Sequence, residues 1–520
     1  MSDRRADRRR LESGHRRAVN VRRTVVIVLT TLLIAALVAA LALLKPADGL
    51  VDKPAVSGAS MVQHVSQTEY GLYCPRQMAL ADDTNFGDSE YQATAGDIAS
   101  SALAAAFGSV YSATAYDYPI ADAQDDQARQ FSNSDMLDSA NVKTLAGDVA
   151  NNAQYIDAKL LEAKSGTGVA GAVATWATTG DLRGASAASC VTTALSNSFL
   201  LPATDTGVTE QLVVANPSQK ATSLDIAVYG TKHSGKLSLS TRSTLTVPAG
   251  GQATWDVAAA APGQDGVYVT VSSKETPVAA TVNVVRADGL KPQGSDIVTP
   301  LGDFSDNLAM PGIHANDKVT ALVYAQRTAT VTVSWITTDG KIEAKTVSVP
   351  AKRVSAIDLG QAPAGTVALI ANASAPISVQ STITLGSSRQ ADIAFIPGRV
   401  RQRHTAVAIP ASMTAQLDIV NTSDTPVTVT MRGYDESGKP TGVKRADIAP
   451  TAAASVRPKD IGDNTQLVTM SSKAAMIWGA RLTNDALAKA NIAQVAYVSA
   501  SSLEPQSREV VTINDQRIVH

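Results

Sequence analysis

Few residues in this sequence have both the type and the spacing that chemistry requires, and the two cysteines are the clearest candidates. Cys74 and Cys190 are the only cysteines among 520 residues, and neither has a second cysteine nearby to form a metal or redox motif. An even number of cysteines in an oxidising compartment predicts one disulfide between them. The alternative is a pair of free, buried thiols.

Asp181 and Arg183 form the most conspicuous polar pair, because only one residue separates them in the stretch Gly-Asp-Leu-Arg-Gly, residues 180–184. Residues two positions apart on a strand share one face of the sheet. The pair could therefore form one polar surface that contacts a partner. The alternative is a turn in which the aspartate accepts hydrogen bonds from backbone amides and the arginine makes a structural ion pair.

Other arrangements of chemical groups are weaker. Residues 166–171 match the pattern GxGxxG, but a dinucleotide site needs a strand before the glycines and a helix after them. Here a helix-like stretch precedes the glycines and a strand-like stretch follows them. Five histidines lie beyond residue 45, and none has a second histidine or a cysteine at the spacing of zinc ligands. They are His64, His233, His314, His404 and His520. The sequence therefore predicts no catalytic residue, no metal site and no cofactor. We expect a protein that is not an enzyme.

The elements that would position these residues begin with a basic head and an apolar run. Nine arginines precede residue 24, and residues 25–44 contain no charge, proline or glycine. Twenty helical residues span about 30 Å, which matches the hydrocarbon core of a bilayer. Basic residues are retained on the cytoplasmic side of a membrane. The alternative is a cleaved signal peptide, because Ala40-Leu41-Ala42 has the small-x-small form of a cleavage site.

We therefore expect a single-pass protein of the cell membrane with a cytoplasmic N-terminus and an extracytoplasmic C-terminus, which contacts the lipid bilayer through its anchor. The expected segments are a basic head over 1–23, a transmembrane signal anchor over 24–44 and a tether over 45–68. Nine of the 45 basic and three of the 47 acidic residues precede Lys45, which leaves a net charge of −8 beyond it. An acidic exterior argues against a nucleic-acid partner.

The region 196–500 contains an internal repeat of about 100 residues. Pro248, Pro350 and Pro450 are 102 and 100 residues apart, and each lies between short stretches that alternate apolar and polar residues. Such alternation with regular turns is typical of β-sandwich modules. We expect tandem Ig-like sandwiches over 196–290, 307–388 and 404–500, followed by a tail over 501–520.

The membrane-proximal region 69–195 is predicted to be a β-rich module with a helical insertion. Leu145, Val149, Ile156 and Leu160 have the spacing of one helix face. The two cysteines lie close to the two ends of this module. The predicted fold class is therefore mainly β, with an N-terminal transmembrane helix and tandem β-sandwich modules.

The stretch 180–184, the following Cys190 and the stretch Leu212-Val-Val-Ala-Asn216-Pro217 together resemble a family of single-pass exported proteins of actinobacteria. That family is known only as a domain of unknown function. The resemblance covers most of the region beyond the tether and includes the two-cysteine pattern. Before the Asn-Pro turn the family has a tryptophan and two glycines, whereas this chain has Phe199-Leu-Leu-Pro202-Ala203. The resemblance implies a place in the cell envelope and no chemistry.

These observations together predict a structural or binding protein. We expect a membrane-anchored extracytoplasmic protein that presents tandem β-sandwich modules to envelope proteins or to cell-wall glycan. The alternative is an enzyme, or an accessory to an enzyme, in the assembly of an envelope polymer.

Overall fold

The computed structural model describes residues 29–30, 32–34, 36, 61–81, 93–120, 128–132, 142–386 and 390–512. The chain divides into two compact units, which are Met1–Val65 with Arg508–His520, and Ser66–Ser507.

In the smaller unit the described residues before residue 37 are helical, and strand β1 (Met61–Ser66) pairs with the last strand of the chain, β34 (Ser507–Thr512). No helix among the described residues combines the length and the apolar character needed to span a membrane. The predicted head, most of the predicted anchor and tether, and the end of the predicted tail lie outside the described residues.

The larger unit consists of four repeats, each with eight strand segments. Repeat 1 contains β2 (Glu69–Cys74), β3 (Ala99–Phe107), β4 (Val110–Tyr118), β5 (Arg129–Gln130), β6 (Lys143–Gly147), β7 (Ala153–Leu160), β8 (Gly168–Ala177) and β9 (Gly184–Ser189), with β10 (Val191–Thr192) after them. Repeat 2 contains β11 (Ser196–Leu201), β12 (Val208–Ala215), β13 (Thr222–Tyr229), β14 (Thr244–Val247), β15 (Gln252–Asp256), β16 (Val267–Ser272), β17 (Ala279–Asp288) and β18 (Lys291–Val298).

In repeats 3 and 4 one long strand supplies both the sixth and the seventh segment. Repeat 3 contains β19 (Ser305–Pro311), β20 (Lys318–Ala325), β21 (Ala329–Thr337), β22 (Gly340–Val349), β23 (Arg353–Gln361), the long β24 (Thr366–Gly386) and β25 (Ala391–Pro397). Repeat 4 contains β26 (Gln402–Ala408), β27 (Met413–Val420), β28 (Val427–Tyr434), β29 (Pro440–Ile448), β30 (Ala453–Val456), the long β31 (Leu467–Asn484) and β32 (Ala496–Ser499), with β33 (Ser501–Ser502) after them. The helical elements described in this unit are short, and they are α1 (Val257–Ala260), the 3-10 turn Pro458–Asp460 and α2 (Asp485–Lys489).

All four repeats have the same sheet topology. The first sheet has the strand order first, sixth, third and fourth, and the second sheet has the order fifth, second, seventh and eighth. In repeat 2 these orders are β11-β16-β13-β14 and β15-β12-β17-β18, and all neighbouring strands are antiparallel. Strands β10 and β33 each add one short strand beside the first strand of repeats 1 and 4.

The strands form because apolar residues alternate with polar ones along them. In β13, Leu224, Ile226 and Val228 are fully buried, whereas Ser223 and Asp225, on either side of Leu224, are exposed. Alternate residues of a strand point to opposite faces, so this pattern places one face of the sheet on a core. The cores between the two sheets consist mostly of Val, Ile, Leu and Ala, which agrees with the low content of aromatic residues in the sequence, 4%.

The four repeats are arranged like the blades of a propeller. The first sheet of each repeat packs against the second sheet of the next repeat, and repeat 4 packs in the same way against repeat 1. The eighth strands meet at the centre, where β9 contacts β18 and β32, and β25 contacts the same two strands. We call this meeting of β9, β18, β25 and β32 the hub.

Two fold predictions are wrong in their detail, although the chain is mainly β as expected. The segment with helical spacing forms strands β6 and β7, and repeat 1 has the same topology as the other three repeats. Its small alanines satisfy the spacing of a strand as well as that of a helix, and pairing with neighbouring strands decides between them. The modules are also not separate Ig-like sandwiches in tandem, because the hub joins them into one propeller-like unit.

Candidate functional site

The Gly180–Gly184 stretch leads directly into the hub strand β9. Asp181 is part of a turn, where its carboxylate Oδ2 accepts a hydrogen bond from the Thr94 amide at 2.8 Å and its own amide donates to the Thr94 carbonyl at 2.7 Å. Next to it, the exposed carboxylate of Asp97 accepts hydrogen bonds from the hydroxyls and amides of Thr178 and Thr179. The hydroxyl of Thr178 contributes most to lowering the pKa of Asp97 to about 2. This turn therefore holds the start of β9 in place.

The end of the same stretch allows two repeats to approach closely. Leu182 is buried in the core of repeat 1. Gly184 has a φ of 136°, and a Cβ at this position would lie 2.6 Å from the carboxylate oxygen Oδ1 of Asp392. Glycine is needed there both for its backbone conformation and for the space it leaves.

Arg183 is half-buried, and its Nε is buried without a hydrogen-bond partner among the described residues. Among the described residues, Arg183 forms no ion pair with Asp181. The aspartate thus has the structural role that the sequence left as an alternative. The contact of Asp181 and Arg183 with a partner stays a prediction.

Two buried aspartates connect all four repeats at the hub. Asp392, in β25, accepts hydrogen bonds through Oδ2 from the amides of Ala185 and Val495, both at 2.9 Å. These amides belong to repeats 1 and 4. Asp296, in β18, accepts from the amide of Ala187 in repeat 1 at 3.2 Å and from that of Phe395 in repeat 3 at 2.9 Å. Each carboxyl group therefore satisfies backbone amides from two other repeats.

Burial raises the pKa values of both hub aspartates, since the charged form is disfavoured away from water. The pKa of Asp296 rises from 3.8 to about 8, although hydrogen bonds from backbone amides act in the opposite direction. Burial likewise raises the pKa of Asp392 well above its ordinary value, and the nearby Asp296 raises it further. The hub therefore favours the protonated form of Asp296 at neutral pH.

This shift predicts that the protein loses stability as the pH rises from about 4 to about 8. In that range the unfolded chain has released the Asp296 proton while the folded chain retains it, so each pH unit lowers the free energy of unfolding by about 1.4 kcal/mol. Urea denaturation between pH 5 and pH 8 measures this slope. Asp296→Asn should make the slope shallower by that amount, and Asp225→Asn, at an exposed position of the same repeat, should leave it unchanged. Equal slopes for wild type and Asp296→Asn would contradict the assignment.

The two cysteines form the predicted disulfide, which joins the two sheets of repeat 1. Cys74 ends β2 in the first sheet, and Cys190 directly follows β9 in the second. The bond links positions 116 residues apart in the sequence. Gly171 lies beside it, and a Cβ there would be 2.8 Å from the Cys190 Sγ. The disulfide thus holds the end of a hub strand against the opposite sheet.

The asparagine of the Asn-Pro turn has a structural role that recurs in the chain. Asn216 donates from Nδ2 to the carbonyls of Lys220, Val247 and Pro248, and thereby ties the turn after β12 to the turn after β14. Asn421 occupies the corresponding position in repeat 4 and makes the equivalent three bonds. This part of the sequence resemblance therefore reflects a turn-stabilising side chain.

A second set of polar contacts joins repeats 3 and 4. Arg481 donates to both carboxylate oxygens of Asp317, at 2.5 and 3.0 Å, and both side chains are buried. Nearby, the Nε2 of His314 lies 2.8 Å from the Oδ2 of Asp418, so this histidine is part of an inter-repeat contact. Among the described residues there is no group of three or more His, Cys, Asp and Glu arranged to hold a metal ion.

Sequence reasoning missed the hub aspartates and the Asp317–Arg481 pair. One signal was present: Asp392 is the only charged residue of the otherwise apolar strand Ala391–Pro397. A charged residue inside an apolar strand is expected to be buried with hydrogen-bond partners. The partners themselves come from distant parts of the sequence, so the strand alone does not name them.

Comparison with known proteins identifies a family. The model described as "Family of unknown function (DUF5719)" matches residues 144–459, which is more than half of the chain. The chain belongs to this family. The matched region of the DUF5719 family begins within β6 of repeat 1 and ends in the 3-10 turn of repeat 4, so it crosses all three boundaries between successive repeats. No curated protein and no solved structure matches the chain.

Membership in a family of unknown function confirms the coarser part of the resemblance. An actinobacterial origin and single-pass export stay predictions.

Proposed function

We propose that this protein is a membrane-anchored, extracytoplasmic scaffold of the bacterial cell envelope that binds other envelope proteins. The arginine-rich head and the apolar run over 25–44 support the anchor, as they did at the level of sequence. The disulfide Cys74–Cys190 supports an oxidising compartment outside the cytoplasm. The propeller-like unit supports a rigid platform, since buried groups from all four repeats hold its hub together.

One observation supports protein binding in particular, namely the exposed edge strands of repeats 3 and 4. The fourth strands of repeats 1 and 2 have two and four residues, whereas β22 has ten and β29 has nine. Both long strands form the edge of their first sheet, and among the described residues each pairs on one side only. Ile342 on β22 is 48% exposed and Val443 on β29 is 54% exposed. Unpaired edge strands with exposed apolar side chains are sites where another chain can add a strand.

The proposal is tested by chemical crosslinking in cells of the native host, followed by purification of the full-length protein and mass spectrometry of bound proteins and glycans. We expect one defined envelope protein to be recovered with the wild type. Ile342→Lys introduces a charge into the exposed edge and should lower this recovery about tenfold, which corresponds to about 1.4 kcal/mol.

The matched control is Leu195→Lys, because Leu195 is 47% exposed but belongs to the connection between β10 and β11 and not to β22 or β29. This variant should recover the partner as the wild type does. Recovery of glycan without protein would refute the proposal and favour a wall-binding role. If Ile342→Lys recovers as much of the partner protein as Leu195→Lys does, the edge of β22 is not the binding surface.

A further inference from the structure

A cleft of about 410 Å³ lies where repeat 4 packs against repeat 1. Its volume falls within the range of small-molecule sites, roughly 300–1,000 Å³. The side chains that carry the argument are His404, Arg432, Tyr434, Thr469 and Ser471 from repeat 4, and Phe107 from repeat 1. The cleft is distinct from the hub and from the edge strand β22.

The polar side chains of the cleft come from three adjacent strands of the first sheet of repeat 4. His404 on β26 lies opposite Ser471 on β31, and Arg432 on β28 lies opposite Thr469 on the same strand. Thr469 and Ser471 are two residues apart and therefore share a face of the sheet. The registry thus brings one imidazole, one guanidinium and two hydroxyls to one face.

The charge of the cleft is suited to an anion. Arg432 is exposed and forms no ion pair with another described residue, and the described residues that line the cleft include no aspartate or glutamate. A guanidinium presents a planar fork of N–H donors that matches a carboxylate or a phosphate. Hydroxyls such as those of Thr469 and Ser471 can both donate to and accept from the hydroxyls of a ligand.

Comparison with repeat 2 shows how the interface between repeats 4 and 1 differs from that between repeats 2 and 3. Tyr229 and Tyr434 both end the third strand of their repeat, and their partners on the sixth strand are Tyr268 and Leu467. Between repeats 2 and 3, Tyr268 stacks on Tyr324 with ring centroids 3.9 Å apart. Between repeats 4 and 1 the residue at the position of Tyr268 is the smaller Leu467, and the ring centroids of Tyr434 and Phe107 are 6.1 Å apart beside the cleft.

The two interfaces also differ in charge. The position of Arg432, two residues before Tyr434, corresponds to Ala227, two residues before Tyr229. Packing between repeats therefore does not require an arginine at this position. An arginine that packing does not require, placed beside an open space, points to a ligand.

We propose that the cleft between repeats 4 and 1 binds an oxyanion carried on a polyhydroxylated ligand, with Arg432 as the main contact of the anion. The anion is the carboxylate of an acidic sugar or the phosphate of a sugar phosphate. Ser471 and Thr469 contact ligand hydroxyls, and the rings of Tyr434 and Phe107 provide an apolar wall. The cleft is lined in part by β29, including Val443, but by no residue of β22, so loss of binding at β22 and loss of binding in the cleft are distinguishable.

The test is isothermal titration calorimetry of the full-length protein with glucuronate, glucose 6-phosphate and glucose in 0.15 M NaCl, a concentration that screens non-specific attraction between surface charges. At least one acidic probe should bind at least about tenfold more tightly than glucose, the effect of one charge-assisted pair. Preference for glucuronate or for glucose 6-phosphate distinguishes the two sources of the anion.

Arg432→Gln should weaken binding of the acidic probe about tenfold or more and leave urea denaturation unchanged, because Arg432 is exposed. The matched control is Arg327→Gln, at an exposed turn of repeat 3, which should bind as the wild type does. The proposal is overturned if neither acidic probe binds, if glucose binds equally well, or if Arg432→Gln retains the affinity of the wild type.

Discussion

Asp317→Ala should lower the free energy of unfolding by about 3–5 kcal/mol, the loss typical of breaking one side of a buried ion pair. The Asp317 side chain is 1% exposed and that of Arg481 is 10% exposed. Without the carboxylate, the guanidinium remains largely buried between repeats 3 and 4, and the Gly312 carbonyl is its one remaining acceptor among the described residues. The His314 amide also loses its bond to Asp317. Urea denaturation measures the loss.

The control is Asp460→Ala, which removes a carboxylate paired with the largely exposed Arg457 and should leave the stability almost unchanged. The double variant Asp317→Leu with Arg481→Met should recover most of the stability, because apolar side chains can replace a buried ion pair. A loss for Asp317→Ala no larger than that for Asp460→Ala would contradict the structural role of the pair.

Asp392→Ala should lower the free energy of unfolding by about 2–6 kcal/mol. The substitution leaves the amides of Ala185 and Val495 buried without an acceptor, and each unsatisfied group costs about 1–3 kcal/mol. Because these amides belong to repeats 1 and 4, the loss should affect the whole hub. Urea denaturation and limited proteolysis of the full-length protein measure the effect.

Asp392→Asn should cost less than Asp392→Ala, since an amide oxygen can still accept hydrogen bonds at the same place. Asp306→Ala removes an exposed carboxylate of the same repeat and should leave stability unchanged. A loss below about 1 kcal/mol for Asp392→Ala would show that water satisfies the two amides in the variant.

The predominance of strands could be predicted because it depends on local patterns. Alternation such as Leu224, Ile226 and Val228 in β13 requires no knowledge of the rest of the chain, and the prolines at 248, 350 and 450 mark the repeat directly. The disulfide could also be predicted, because only one pairing of two cysteines exists. In repeat 1 the same reasoning failed, since alanines give weak contrast between the two faces of a strand.

The candidate sites could be predicted only in part. Asp181 stood out by its setting between glycines, and the structure gives its local bonds to Thr94. The importance of Gly184 could not be inferred, because the carboxylate that it accommodates lies 208 residues away in Asp392. Arg432 also carried no signal, since its role depends on an open space between repeats 4 and 1 that no stretch of sequence displays.

The predominance of strands, the repeating unit of about 100 residues and the aliphatic cores follow from the order of apolar and polar residues over short distances, and the single disulfide follows from the count of two cysteines. In contrast, the meeting of the repeats at one hub, the burial of Asp296 and Asp392 there, and the basic cleft between the last repeat and the first depend on how the repeats pack. Burial and hydrogen bonding at the hub are set by residues that approach in space from positions 99 to 207 apart in the chain, and local patterns contain no information on such approaches.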